Sequence, residues 1–599
     1  MNAPLVKRPE SPPKASANKA WLRALETTAR LTGEQASTLP ALIDALADRF
    51  SPRTALLSDR ECFTYGELAA RARRYTRWAL SQEIGAGDVV ALMMPNRPEY
   101  LAIWLGVTRT GATAALLNTN LVGAALAHSI SIVAPRHIIL AAELEDRFAA
   151  SEASFEGAAC VWLHGKGRVD RARIDLAVER LSSDPLTQAE TRTVGLSDRA
   201  LCIYTSGTTG LPKAANVSHG RVLSWAGWFA GLMGAGPEDR LYNCLPMYHS
   251  VGGVVATTAA LVNGGSVVIK EKFSVREFWD DVRRWDCTLF QYIGELCRYL
   301  LNAPPQPDET RHRLRLACGN GLRGDVWLQF QARFALPQIL EFYASTEGNF
   351  SLYNVEGEPG AIGRIPPFLS HRFPAALVRF DAETAAPFRG EDGRCLRCER
   401  GEVGEAIGRI ASYDGGGRFE GYTTDADSEK KTVRDVFEAG DAWFRTGDLM
   451  RQDARGFYYF IDRVGDTFRW KGENVSTGEV AAVLAAAPGV MEAEVYGVPV
   501  PGADGKAGMA ALTIDPAFDL AILRAHLADR LPAYARPVFL RITDQIAATE
   551  TFKPKKQSLA AEGFDPAGIT DRLYLETGAG YAPLDAAIAT RIATGQVRL

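Results

Sequence analysis

The stretch YTSGTTGLPKA, Tyr204 to Ala214, sets three glycine or proline breakers among the hydroxyl side chains Thr205, Ser206, Thr208 and Thr209, with Lys213 at its end. Gly207 and Gly210 expose backbone N–H groups, and the hydroxyls add donors, so the segment suits anionic phosphate oxygens. It does not fit the P-loop pattern G-x-x-x-x-G-K-[ST], because Lys213 stands between Pro212 and Ala214 with no hydroxyl after it for magnesium. A plain polar turn is the alternative. Four further segments carry chemistry-bearing residues. EFYASTEGN groups Tyr343, Ala344, Ser345, Thr346 and Glu347: an aromatic ring for a purine, and a carboxylate for a phosphate-bound magnesium ion. WFRTGDL is expected to end a strand at Asp448, a carboxylate able to accept two ribose hydroxyls. CLPMYHSVGG places Tyr248 and His249 before a glycine pair that admits close backbone approach. DRVGDTFRWKGENVST gathers Arg463, Asp466, Arg469 and Lys471 around two glycines. Taken singly, each also reads as a surface loop, a turn, a core histidine or a solvated linker.

The elements that must position these residues alternate. Short apolar runs (GDVVALMMP, HIILAAEL, ALCIYTSG, SVVIKE, TLFQYIG, LRLACGNG) are separated by segments of helical spacing such as FTYGELAARARRYTRWAL, with Thr64 as its N-cap. This predicts an α/β architecture with largely parallel sheets. The phosphate-like turn follows the buried-strand signature LCIY, which puts it at a strand's carboxyl end, where such sheets bind ligands. Between about 370 and 460, shorter glycine-punctuated strands suggest a small β-rich subdomain. Beyond DRVGD, helices and strands restart as a compact α+β unit of about 130 residues, a plausible separate domain. The fold expected is thus a large N-terminal domain of two α/β subdomains plus a β-rich one, with a smaller mobile α+β domain behind it. The boundaries expected are 1–38 for a flexible arm, 39–464 for the main domain and 465–599 for the last.

Composition excludes several classes. The chain of 599 residues is too long for one core, and 47% hydrophobic with 23% charged residues is ordinary globular content. A net charge of −4 gives no basis for nucleic-acid binding. Nine scattered cysteines argue for a reducing compartment, and Cys395 and Cys398 lack a second pair at zinc spacing. Thr110 to Pro135 and Leu241 to Ile269 are long and uncharged, but asparagines and glycines break both. Buried helix, turn and buried strand is the economical reading of each, rather than a membrane span.

YTSGTTGLPKA, YASTEGN, FRTGD, DRVGDTFRWKGENVS and the lysine region TFKPKK stand in the order found in the adenylate-forming ligase superfamily. DTFRWKGENVST, GNGLRGDVW, LPAYARPVFLRI and the tail GAGYAPLDAAIATRIATGQVRL resemble its fatty acid transport protein and very-long-chain acyl-CoA synthetase branch, over nearly all of 40–599. The resemblance implies ATP, Mg2+ and coenzyme A as cofactors. It implies that Thr205, Ser206, Gly207, Thr208, Thr209, Gly210 and Lys213 cradle the β- and γ-phosphates, and that Gly319, Asn320 and Gly321 line the adenine. Tyr343 would stack on that base, with Ala344 and Ser345 beside it in the nucleotide site. Thr346 would contact the α-phosphate, Glu347 the metal, and Asp448 with Arg463 the ribose. Lys553 would be the catalytic lysine, with Lys555 and Lys556 mattering much less, and Gly472 would lie beside the pantetheine path. His249 and Tyr248 would stand between the reacting carboxyl and an apolar acyl tunnel.

Two departures from the family pattern are plain: Gly465 stands where many relatives carry Asp or Lys, and Glu550 where glycine is usual, with Pro554 after Lys553. The C-terminal domain is expected to rotate about Gly465–Asp466 between two half-reactions. The function implied is activation of a long or very long fatty acid to its adenylate and then its coenzyme A thioester. The alternatives are another carboxylic acid, delivery to a carrier protein, or fatty acid uptake driven by thioesterification. The partners expected are small molecules, with no nucleic acid and peripheral membrane association as an option; the oligomeric state is left open, a homodimer included. The location expected is cytoplasmic, or peripheral at the inner face of a membrane.

Overall fold

Continuous runs of apolar residues make the strands, because a strand covered on both faces needs no polar side. Val89–Met93, Thr113–Leu116 and His137–Ala141 are buried along their whole length. The computed structural model describes the chain except residues 1–15, 153–158, 169, 207–210, 382–383, 385, 411–418, 472, 502, 504, 548–555 and 598–599. It divides into two compact units, residues 1–363 with 411–430, and residues 364–410 with 431–599. The boundary expected at 464/465 therefore lies inside the second unit.

The first unit holds two sheets. One runs Cys160–His164, His137–Ala141, Val89–Met93, Thr113–Leu116, Arg199–Ser206, Pro212–Ser218, parallel except for its last pair. The other runs Ser351–Asn354, Ile339–Ala344, Leu316–Asn320, Leu289–Ile293, Arg240–Asn243, Ser266–Ile269, Thr54–Leu57, Cys62–Thr64. It is parallel through its centre and antiparallel at both of these ends. Helices cover the faces. Tyr65–Ser81 starts with the reciprocal cap predicted at Thr64, whose side chain accepts from Glu67 N–H while Glu67 accepts from Thr64 N–H.

Two expectations change. The segment 17–38 is not all arm: Ala17–Thr32 is a helix, and Trp21, Ala24, Thr28 and Leu31 are buried from one face of it. It lies directly on the helix His219–Met233, where a Cβ on Gly231 would fall 2.3 Å from the Ala24 Cα. The Pro- and Lys-rich composition ahead of Ala17 masks the 3–4 spacing that begins at Trp21. In Thr110 to Pro135 the order is also reversed, with the strand Thr113–Leu116 preceding the helix Gly123–Ser131. Among the described residues no helix is long and apolar enough to cross a membrane.

In the second unit, Ala375–Val378, Val403–Arg409, Ala442–Gln452 and Phe457–Arg463 pair antiparallel in that order. A five-stranded mixed sheet follows, Val490–Pro499, Lys506–Ile514, Phe539–Ile542, Arg572–Glu576, Tyr581–Pro583. Its apolar core extends from Phe468 to Ile592 and includes Leu484, Met509, Leu523 and Phe539.

Candidate nucleotide site

The strands on either side of the glycine- and threonine-rich segment pair antiparallel. Thr205 pairs with Lys213 and Ser206 with Pro212 in antiparallel register, and no helix follows the turn directly, unlike a P-loop. Gly207, Thr208, Thr209 and Gly210 lie outside the described residues. Lys213 is ion-paired: its Nζ is 2.8 Å from Asp427 Oδ1 and lies over the ring of Tyr422 at 5.6 Å.

Glu347 is buried at 8% exposure, and its Oε1 accepts a 2.8 Å hydrogen bond from Tyr422 Oη. The backbone on either side of it is clamped by Arg221, which donates to the Thr346 and Gly348 carbonyls at 3.0 and 3.2 Å. Burial pulls the Arg221 guanidinium below its ordinary pKa, opposed by the charges of Glu420 and Glu347. Glu420 stands 3.5 Å from Arg221 and accepts from the N–H and Oγ of Ser218, the residue that caps Arg221's own helix. Thr346 Oγ1 is 3.0 Å from Ser250 Oγ. Ser345 Oγ is buried with no hydrogen-bond partner among the described residues, an open donor and acceptor beside Thr346.

Ser250 brings in the His249 segment. His249 is half-buried, with its ring 4.6 Å from that of Tyr248, and it precedes the π-type turn Ser250–Val255. The close approach expected of the glycine pair is present: a Cβ on Gly253 would fall 1.9 Å from the Met247 carbonyl oxygen. Sequence reading thus named Thr346, Glu347 and His249, and missed Ser250, Arg221, Glu420 and Tyr422.

Gly319 and Asn320 end the strand Leu316–Asn320, and Gly321 turns with φ +78°. Gly319 is in register with Glu341 on the neighbouring strand Ile339–Ala344, so the turn and Tyr343 occupy the same strand ends. Tyr343 is half-buried and packs edge-on against Phe350 at 5.6 Å, while Ala344 is exposed. A Cβ on Gly294 would meet the Gly321 carbonyl oxygen at 1.9 Å, which holds the turn tightly in place.

In the second unit, Asp448 lies within the strand Ala442–Gln452, not at its end as expected. The strand continues past it because Gly447, at φ +75°, and an irregularity at Leu449/Met450 absorb the bend. Arg463 is its cross-strand neighbour, with Nε 3.6 Å from Asp448 Oδ1. Gly472 and Lys553 lie outside the described residues, as do Glu550, Pro554 and Lys555. Lys556, expected to matter much less than Lys553, is engaged: Nζ donates to Thr477 Oγ1 at 2.7 Å and pairs with Glu494 at 2.9 Å. Asp466 stands 3.7 Å away, and the neighbouring carboxylates raise the lysine's pKa against the opposing effect of burial.

The residues 43–373 match the AMP-binding enzyme family and 479–553 match the AMP-binding enzyme C-terminal domain. Long-chain fatty acid transport protein 1 of Mus musculus is 41% identical over 575 residues, covering 94% of this chain and 88% of that protein. The chain belongs to the AMP-binding enzyme family, in its long-chain fatty acid transport protein branch. Long-chain fatty acid transport protein 3 of Homo sapiens is similarly 41% identical, over 86% of this chain and 76% of that protein. Among solved structures, ATP-bound MatB from Rhodopseudomonas palustris has a TM-score of 0.73 at 25% identity, covering 87% of this chain and 98% of that one. A Mycobacterium tuberculosis fatty acyl CoA synthetase shares the fold with a TM-score of 0.60 at 22% identity, covering 88% and 98%. In this family member, a polar cleft of about 750 Å3 lies among Arg60, Arg97, Glu143 and His164, and no predicted site residue lines it. Arg60 is paired with Glu271 and Arg97 with Glu143.

Proposed function

We propose that this chain is an ATP-dependent long-chain fatty acyl-CoA synthetase. A fatty carboxylate oxygen attacks the α-phosphorus of ATP, the bond to the pyrophosphate oxygen breaks, and acyl-AMP forms. The thiol of coenzyme A then attacks the acyl carbon, loses its proton, and AMP leaves. The observation that carries this reading is the convergence of Ser345, Thr346 and Glu347 with Ser250, one residue from His249. An orphaned buried hydroxyl beside a clamped carboxylate fits a phosphate and its magnesium ion. Mg2+ is usually held by only one or two protein carboxylates, the rest being phosphate and water. Glu347 would hold it, and the ion would neutralise charge on the phosphates as the pyrophosphate departs.

The chain's own groups do the remaining work. Arg221 fixes the backbone on both sides of Glu347, so the carboxylate does not move as charge builds at phosphorus. Thr205 and Ser206 aim the hairpin at the terminal phosphates, and Lys213 joins them once it leaves Asp427. Gly319 to Gly321 and Tyr343 hold the base; Asp448 and Arg463 hold the ribose. The body 465–599 rotates about Gly465–Asp466, delivering Lys553 in one half-reaction and Gly472 in the other. The name carried by the 41% identical relatives favours a role in fatty acid uptake, since thioesterification traps the acid inside a cell. Peripheral membrane association would follow from the substrate.

The test is acid-dependent AMP release with coenzyme A across a panel of carboxylates. Turnover per unit concentration should rise from C8 towards C16 and beyond. Equal or better activity on acetate, benzoate or an amino acid would overturn the long-chain assignment. Thioester formation on a carrier-borne pantetheine in place of coenzyme A would favour the carrier-protein alternative.

A further inference from the structure

Beneath the turn 319–322 lies a carboxyl group that no step of the proposed reaction uses. Glu341 is 1% exposed, in the middle of the sheet, on the strand Ile339–Ala344. Its Oε1 accepts from Leu322 N–H at 3.0 Å, and Tyr292 Oη donates to Oε2. The Gly321 N–H also donates to this carboxyl, and burial pushes it up to about 8 in spite of the three donors. A carboxyl buried in a sheet carries a desolvation cost, so its presence calls for a reason beyond filling space. Packing alone would be served by an apolar side chain of similar volume.

The donors indicate the reason. Two of the three are consecutive backbone amides of one turn, and the third comes from Tyr292, which itself fixes that turn: a Cβ on Gly319 would fall 2.3 Å from the Tyr292 carbonyl oxygen. Glu341 and Tyr343 are two residues apart on one strand, so their side chains leave the same face of the sheet. One carboxyl thus ties the turn to the strand that carries the aromatic ring. We propose that Glu341 is a positioning residue that sets the spacing between the 319–322 turn and Tyr343, and so the slot that receives the adenine base. This rests on the nucleotide reading given above.

The experiment compares Glu341→Gln, Tyr292→Phe and Tyr343→Ala with the wild type in the full-length enzyme. It measures AMP binding by calorimetry, the KM for ATP against kcat, and the preference for ATP over GTP and UTP. Glu341→Gln keeps the volume but presents an NH2 to donors, and should raise the AMP Kd and ATP KM about ten-fold, the cost of leaving one buried backbone donor without an acceptor. Its kcat and fatty acid KM should stay within about two-fold, and its preference for ATP should narrow. Tyr292→Phe should move the same quantities in the same direction by about three-fold. A Glu341→Gln enzyme with wild-type ATP KM and base preference overturns the proposal, whatever its Tm. Should that variant fail to fold, an unchanged ATP KM and base preference in Tyr292→Phe overturns it instead. Tyr343→Ala separates the two levels. If it binds AMP normally, the base lies elsewhere and the nucleotide reading itself fails. If it binds weakly while Glu341→Gln is normal, only the role of Glu341 is lost.

Discussion

Around Glu347 the backbone is held from several directions by side chains, and at Gly465 the space a side chain would fill is open. Arg221 takes both carbonyls flanking Glu347, Tyr422 takes its carboxylate, and Ser250 meets its neighbour Thr346. Gly465 sits at φ +98° with no heavy atom within 4 Å of the position a Cβ would occupy. Its chain neighbours carry the bonds beside it: Val464 N–H donates to the Gly447 carbonyl at 2.8 Å, Asp466 N–H to the Arg463 carbonyl at 3.1 Å, and the Asp466 carboxylate faces Lys556 at 3.7 Å. The difference matches the division of labour in the proposed reaction. A group that serves phosphate in place must not move, and a joint between two working positions must not be packed.

The contrast is broken most severely at the lysine. If the segment beyond Gly465 moves, Lys553 serves only adenylation and Gly472 only thioester formation. Lys553→Ala should then slow acyl-AMP formation by ~10²–10³, the usual loss when one cation aimed at a transferring phosphoryl group is removed. The same enzyme should still convert supplied acyl-AMP and coenzyme A. Gly472→Leu should do the reverse. Equal losses in both halves for both variants would mean a single static site. Lys555→Ala is the control; Lys556 does not serve as one, because its contacts with Thr477 and Glu494 make it part of the second unit's frame.

On the clamped side, Glu347→Gln should lower both half-reactions, adenylation by about 10²-fold, with a Tm close to wild type. Wild-type acyl-AMP formation by the purified variant would remove Glu347 from the metal. At the joint the effect should be smaller. Gly465→Ala meets no clash, but it asks an L-residue to hold positive φ, a strain of about 1–2 kcal/mol. Full turnover should fall several-fold while each half-reaction, measured alone, changes little. If one half-reaction falls as far as full turnover, the torsion is not the step affected.

How much of this was legible follows from where the information sits along the chain. Fully apolar strands such as Val89–Met93 declare themselves, and the Thr64 cap is written in four consecutive residues. Uncharged Thr110 to Pro135 has no polar face to set a period, so strand and helix could be identified there but not ordered. In the site, the residues proposed to act on the ligand stand in short motifs that sequence alone can name. Residues that act on those residues do not: Arg221 reaches Thr346 across 125 positions, and Glu420 reaches Ser218 across 202. Ser218, Arg221 and Glu420 read singly as a helix cap and two surface charges. Only the tertiary fold pairs them. The Ala17–Thr32 helix was hidden differently, by a polar, proline-rich lead that colours the composition of the whole terminus.

Lys213 supplies the finest comparison, because it is the one predicted phosphate-binding cation of the hairpin and it is already occupied. Asp427 holds it at 2.8 Å and is itself held by Thr424 Oγ1 at 2.6 Å, and Lys213 keeps the Asp427 carboxyl below its ordinary pKa. Both side chains are partly exposed, 12% and 24%, so the pair is worth no more than about 1 kcal/mol. A triphosphate arriving at the hairpin must take Lys213 from that carboxylate. Asp427→Asn removes the competitor while keeping the side chain's shape, so the KM for ATP should fall about two- to five-fold with kcat and Tm little changed. A rise in KM would give Asp427 the opposite role, that of aiming Lys213 at the phosphates, and would move this hairpin from the competed class of contacts into the clamped class that surrounds Glu347.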